Sequence, residues 1–211
     1  MINRGFEAFR VASWITFLTL TGVGPSGAGP TLDRLPVEEL RVEPPGGAKP
    51  ITLTFHESAQ DRKHGVAHQC TCRAVLFRAL QIVAEGRPGG VLKIADLKQV
   101  RSGWASEANR AMLCDTLGLA KARFKHSSEM PPCRETVVSV AWWQFTFLDG
   151  KSVTVWARPK ALPDDFRTLH AEHKRGDNSE AMRAVLDGMK EQLALTLTQT
   201  PLDQLFVVVA D

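Results

Sequence analysis

Tyrosine is absent from these 211 residues, although five Trp and ten Phe are present. No phenolic hydroxyl can therefore act as donor, acid or nucleophile anywhere in the chain. Charge of one sign is scarce as well. The 26 Lys and Arg stand against 23 Asp and Glu, a net of +3 scattered along the length. A nucleic-acid surface needs a concentrated basic stripe, and this balance supplies none. No phosphate-binding loop is present, because the glycine-rich stretch 86–90 lacks the Lys and the preceding strand that such a loop requires. A Gly-x-Ser-x-Gly nucleophile elbow is missing too, and no internal repeat divides the chain. Cysteines are few, four in all.

What is present describes a globular chain. An apolar share of 44% and a charged share of 23% sit near the average for folded proteins. The length suffices for one good core. At the N-terminus, Arg4 and Arg10 precede a short apolar stretch, residues 11–20, which is too brief to span a bilayer. Gly22, Gly24, Pro25 and Ser26-Gly27-Ala28 follow. Basic, apolar and small-residue parts in that order predict a secretory signal over residues 1–28, cleaved after Ala28. The competing reading is an N-terminal extension without fixed structure. Export places the mature chain in the periplasm or outside the cell, with no stable membrane span; an unprocessed chain would stay cytoplasmic.

Residues 29–50 carry Pro30, Pro36, Pro44, Pro45 and Pro50 and read as a linker or surface strap, so the domain is expected to occupy 51–211. Residues 51–55 alternate as a half-buried strand. From Cys72 to Glu85 apolar residues recur at 72, 75, 76, 79, 80 and 83, the stripe of a buried helix, with Arg73, Arg78, Gln81 and Glu85 opposite. A strand is expected within 91–100, and a helix capped by Ser106 and closed by Gly118. Residues 136–148 read as a strand, turning at Asp149-Gly150 into a second one. Helices over 164–174 and 179–197 come next, then an apolar tail, 202–209. The order predicts an α+β domain, mainly an antiparallel sheet with helices packed on one face.

The chemistry concentrates at His64-Gly65-Val66-Ala67-His68-Gln69-Cys70-Thr71-Cys72, where two imidazoles and two thiols fall within nine residues. His64, His68, Cys70 and Cys72 are candidate ligands for Zn²⁺ or another divalent transition metal. Cys70 stands where the helix begins, and free amide N–H groups and the helix dipole favour a thiolate there. The plainer reading is a solvated loop with one buried thiol. A Cys70–His dyad for nucleophilic catalysis is a third reading. Cys114 reads as a small buried hydrophobe, and a Cys114–Cys133 bridge would suit an exported protein. The His170-Ala171-Glu172-His173 cluster lies on a charged helix end and reads as a solvated face.

These residues resemble the FmdE-like family, named after a component of formylmethanofuran dehydrogenase. Its His-Gly-His-x-Cys-Pro-Gly motif opens an amphipathic helix. Here His64-Gly65 and His68-Gln69-Cys70 keep that order, with Val66 and Ala67 inserted and Thr71-Cys72 in place of Pro-Gly. Residues 145–151, the Arg158-Pro159 pair, the Pro163-Asp164-Asp165-Phe166 run and the closing stretch 201–206 are similar to later family motifs. The resemblance covers residues 51–208 and lacks the C-terminal zinc ribbon of some members. It implies an α+β domain with a metal at the His/Cys corner, often in homodimers. The expected function is that of an exported metal-binding protein with no assigned reaction, meeting a small molecule or a protein. The alternative is an interaction module with structural or disulfide-bonded cysteines.

Overall fold

The helix that follows the His/Cys-rich stretch organises the domain. It spans Thr71–Glu85 (α1), and the stripe Cys72, Val75, Leu76, Ala79, Leu80 and Val83 is buried along it, as a 3.6-residue period requires. It stops at Gly86, whose N–H donates to the Ile82 carbonyl at 3.3 Å. The computed structural model describes residues 39–55, 58, 70–104, 106–133, 141–176 and 179–211. These belong to one compact unit of the chain. The predicted signal segment 1–28, the first part of the predicted linker, His64, His68 and residues 136–140 of a predicted strand lie outside the described residues.

The described strands are Glu39–Glu43 (β1), Ile51–Thr54 (β2), Val91–Lys93 (β3), Leu97–Ser102 (β4), Phe124–His126 (β5), Trp142–Phe147 (β6), Ser152–Ala157 (β7) and Phe206–Ala210 (β8). They form two sheets, in the orders β2-β1-β3 and β5-β4-β6-β7-β8. The pairs β1/β3 and β4/β5 are parallel and the other four antiparallel. The domain is therefore α+β with mainly antiparallel strands, as its sequence predicts, although divided between two sheets. α1 packs on β1 and β3 of the smaller sheet and on β7 of the larger one.

The predicted linker fails at β1. Residues 39–43 form the central strand of the smaller sheet, with Leu40 and Val42 buried. Pro36 stands before the strand and Pro44 after its last residue, so no proline within its five residues opposes pairing. The alternation of exposed Glu39 and Arg41 with buried Leu40 and Val42 is a half-buried strand pattern masked by its Pro-rich surroundings. β1 also corrects the polar face expected of α1. Arg78 and Gln81 are buried rather than solvated. Arg78 Nη1 donates to Gln81 Oε1 at 2.6 Å, and Gln81 Nε2 donates to the Glu39 carbonyl at 2.7 Å. A polar side chain under a strand stays satisfied only by bonding, and this relay ties helix to strand.

The predicted strand within 91–100 is two strands in different sheets. A 3-10 turn at Ile94–Asp96 carries the chain from β3 to β4. Ser106 caps Glu107–Ala111 (α2), its Oγ accepting from the Asn109 N–H at 3.3 Å. The helix then widens into a π turn at Met112–Thr116. Gly118 ends it at φ +79°, with a Pro45 side-chain carbon 3.0 Å from where a Cβ would stand. The Asp149-Gly150 turn joins β6 to β7 as expected, with Gly150 at φ +85° and its N–H donating to the Phe147 carbonyl. β6 lies in the middle of the larger sheet and brings Trp143, Phe145 and Phe147 into the main core. Asp164–Lys174 (α3) and Glu180–Gln199 (α4) follow, and the Ser179 hydroxyl caps α4 by accepting from the Met182 N–H. The apolar tail becomes Leu202–Leu205 (α5) and β8. No described helix is long and apolar enough to cross a membrane.

Candidate functional site

Cys70 occupies the N-cap position of α1 with extended backbone, φ −83° and ψ 99°. Its carbonyl accepts from the Ala74 N–H at 3.0 Å and starts the helical ladder. Its side chain makes no capping bond to the first turn. The first-turn amides of any helix lack intrahelical acceptors and carry partial positive charge, so an N-cap sulfur sits beside a field that favours negative charge. No acidic residue of the first turn competes for that field. The thiol is half-buried, at the boundary between the helix body and the segment that carries His64 and His68.

Cys72 occupies a different environment two residues on. It is 9% exposed and belongs to the buried stripe of α1. The pleat of a strand would turn residues 70 and 72 to one side. A helix start instead rotates successive residues by about 100°, which separates the cap from the core stripe. Of the two thiols, Cys70 is half-buried at the helix cap and Cys72 is buried with the core stripe. All four cysteines, Cys114 and Cys133 included, are thiols.

The described histidines lie on other elements, His126 on β5 and His170 and His173 on α3. Among the described residues no group of three or more His, Cys, Asp or Glu side chains is arranged to hold a metal ion. His126 lies on β5, its Nδ1 3.0 Å from the Ser102 carbonyl oxygen, which places the ring proton on Nδ1. His170 stacks on Phe166 at 5.6 Å between ring centroids, so it is half-buried rather than fully solvated. Surface hollows of about 230 Å³, walled by Pro45, Leu119 and Arg123, and about 150 Å³, walled by Glu39, Gln81 and Glu85, include neither Cys70 nor Cys72.

Cys114 lies in the π turn beside Arg110, which pairs with Glu107. Burial pushes its thiol above the ordinary cysteine range, and the neighbouring Arg110 only partly opposes that. A raised value keeps the sulfur protonated over a wider pH range, so it is a poor nucleophile at neutral pH. Iodoacetamide should therefore label Cys114 slowly at pH 7.5 and faster as pH rises past 9, followed residue by residue by mass spectrometry. Rapid labelling at pH 7.5 would contradict this.

One buried polar group had no signal in the sequence. Asn109 in α2 is fully buried, and among the described residues neither its Nδ2 nor its Oδ1 has a hydrogen-bond partner. An unmet buried amide costs on the order of 1–3 kcal/mol. An Asn two residues into a capped helix ordinarily faces solvent, so only the packing of α2 against α1 reveals it. Compared with protein-family models, with curated proteins and with solved structures, the chain matches none of them.

Proposed function

We propose that this chain is a metal-binding protein that holds Zn²⁺, or another divalent transition metal, at the entrance of α1 through His64, His68 and Cys70. The observation that supports it is the position of Cys70 at the N-cap of a buried helix, directly after two histidines spaced four residues apart. Imidazole nitrogen and thiolate sulfur are the donor set that a borderline-soft divalent ion takes. The motif order shared with the FmdE-like family favours the same corner. With three protein ligands the fourth position belongs to water or to a small molecule, which is the arrangement of a Lewis-acid site. Cys72 serves as core rather than as ligand in this reading. The reaction, if the ion supports one, stays unassigned. The segment 1–28 supports export to the periplasm or beyond.

The test is the metal content of protein purified without a histidine tag. Wild type is expected to retain about one equivalent, Cys72→Ala the same, and the double variant His68→Ala, Cys70→Ala close to none. Near-zero metal in the wild type, or equal metal in wild type and double variant, would overturn the proposal. In that case the buried Cys72 and the four thiols favour an interaction module with structural cysteines.

A further inference from the structure

The larger of the two surface hollows, about 230 Å³, lies where three stretches meet: the loop after β1, the turn between β3 and β4, and the run from Gly118 to Arg123 ahead of β5. Ile94 and Leu119, both buried in the core, line it, with Pro45 and Ala95 beside them. Pro45 closes on Gly118 so tightly that a Cβ there would meet its Cδ at 3.0 Å. Walls of this kind favour apolar matter over water. The volume is below the roughly 300–1,000 Å³ of a typical ligand site, so the occupant is small.

Arg123 is the one charged residue among the described residues that line the hollow. Its Nη1 donates to the Leu97 carbonyl at 2.8 Å and, less closely, to the Ala95 carbonyl at 3.5 Å. The second bond, to a residue that itself lines the hollow, keeps the cation at the wall. Carbonyls orient a guanidinium without neutralising it. Nε and Nη2 have no partner among the described residues, and no ion pair there reaches Arg123. Asp96, the acid next to Ala95, is not paired with it, and Lys121 adds a second positive charge to the same 3-10 turn. Nε–H and Nη2–H form a parallel fork, the spacing that both oxygens of a carboxylate accept.

We infer that this hollow binds a small carboxylic acid, its apolar body over Ile94 and Leu119 and its carboxylate on the free edge of Arg123. Inorganic phosphate meets the guanidinium equally well but has no apolar body for the rest of the hollow. A peptide C-terminus carries the same carboxylate, and the small volume favours the free acid. The site includes neither Cys70 nor Cys72, so it is independent of any metal at α1.

Titration of the ¹⁵N-labelled full chain in EDTA tests it, with benzoate as the probe and benzamide as its uncharged match. In wild type the amides of Ala95, Leu119 and Ala120 should shift saturably with benzoate at a Kd of about 1 mM, the scale open to so small a ligand. Benzamide, inorganic phosphate and an N-acetyl dipeptide ending in phenylalanine should each bind about tenfold more weakly or worse, and so should benzoate to Arg123→Gln. Lys121→Gln removes the same charge from an exposed position and should stay within about twofold of wild type. Absence of saturable shifts at those amides would overturn the proposal. So would benzamide, phosphate or the dipeptide matching benzoate, or Lys121→Gln losing as much as Arg123→Gln. If Arg123→Gln does not fold, the wild-type comparison of benzoate with benzamide decides.

Discussion

Gly103→Ala should destabilise the domain by about 3 kcal/mol, at the upper end of what overpacking of a buried site costs. Gly103 follows the last residue of β4, and its N–H donates to the Trp142 carbonyl at 3.1 Å. A Cβ at this position would overlap the indole Nε1 of Trp142 and stand 2.5 Å from its Cδ1 and Cε2. The ring cannot yield cheaply. It is only 2% exposed and packs against Trp156 and Val207. The Arg101 guanidinium lies 5.9 Å from its centroid. Loss of glycine's excess freedom in the unfolded chain would return at most about 1 kcal/mol, so the clash decides the sign. Urea unfolding followed by tryptophan fluorescence should show the midpoint falling by about 1–2 M. A shift below about 0.3 M would mean that the indole has room the packing does not show.

Val42→Asp should cost about 3–5 kcal/mol, the penalty of leaving a carboxylate buried without a partner. Val42 sits in the central strand of the smaller sheet, opposite Ile51 on one side and Leu92 on the other, with no exposed surface. The neighbouring charge pair, Lys93 with Glu43 at 3.2 Å, belongs to the exposed side of the strands and already satisfies itself. Burial would raise the new carboxyl above its unfolded value of about 3.9, because the charged form is the one penalised. The sign follows from linkage. The deficit is smallest below about pH 4, where the group is protonated in both states, and grows as pH rises toward the folded value. Denaturation of the variant and wild type at pH 3.5 and pH 7 measures both. An unchanged stability at pH 7 would restore the reading of 39–43 as a surface strap. For a domain whose total stability is on the order of 5–15 kcal/mol, either variant removes a large fraction.

Much of the architecture is legible in the sequence because it rests on local rules. The stripe from Cys72 to Val83, the Ser106 and Ser179 caps, and Asp149-Gly150 at the hairpin each announce an element within a few residues. β1 is not legible in that way. Its two buried residues are flanked by proline and glycine, and its stability comes from partners at residues 51–54 and 91–93 rather than from propensity. Arg78 and Gln81 follow the same logic, since a helix face called polar by its residues is buried when a distant strand covers it. At the candidate site the spacing of His64, His68, Cys70 and Cys72 names a donor set. It does not distinguish the two thiols, which differ because the backbone bends into a helix between them.

By itself, the sequence determined the α+β class, the turn and cap positions, and the gathering of imidazole and thiol ahead of one helix, since each depends on neighbours along the chain. Tertiary structure alone decided that residues 39–43 are core, that Cys72 is buried while Cys70 stands at the helix cap, and that the apolar tail ends in a strand paired with β7. Those outcomes depend on pairings between residues tens of positions apart, and no local pattern carries that information.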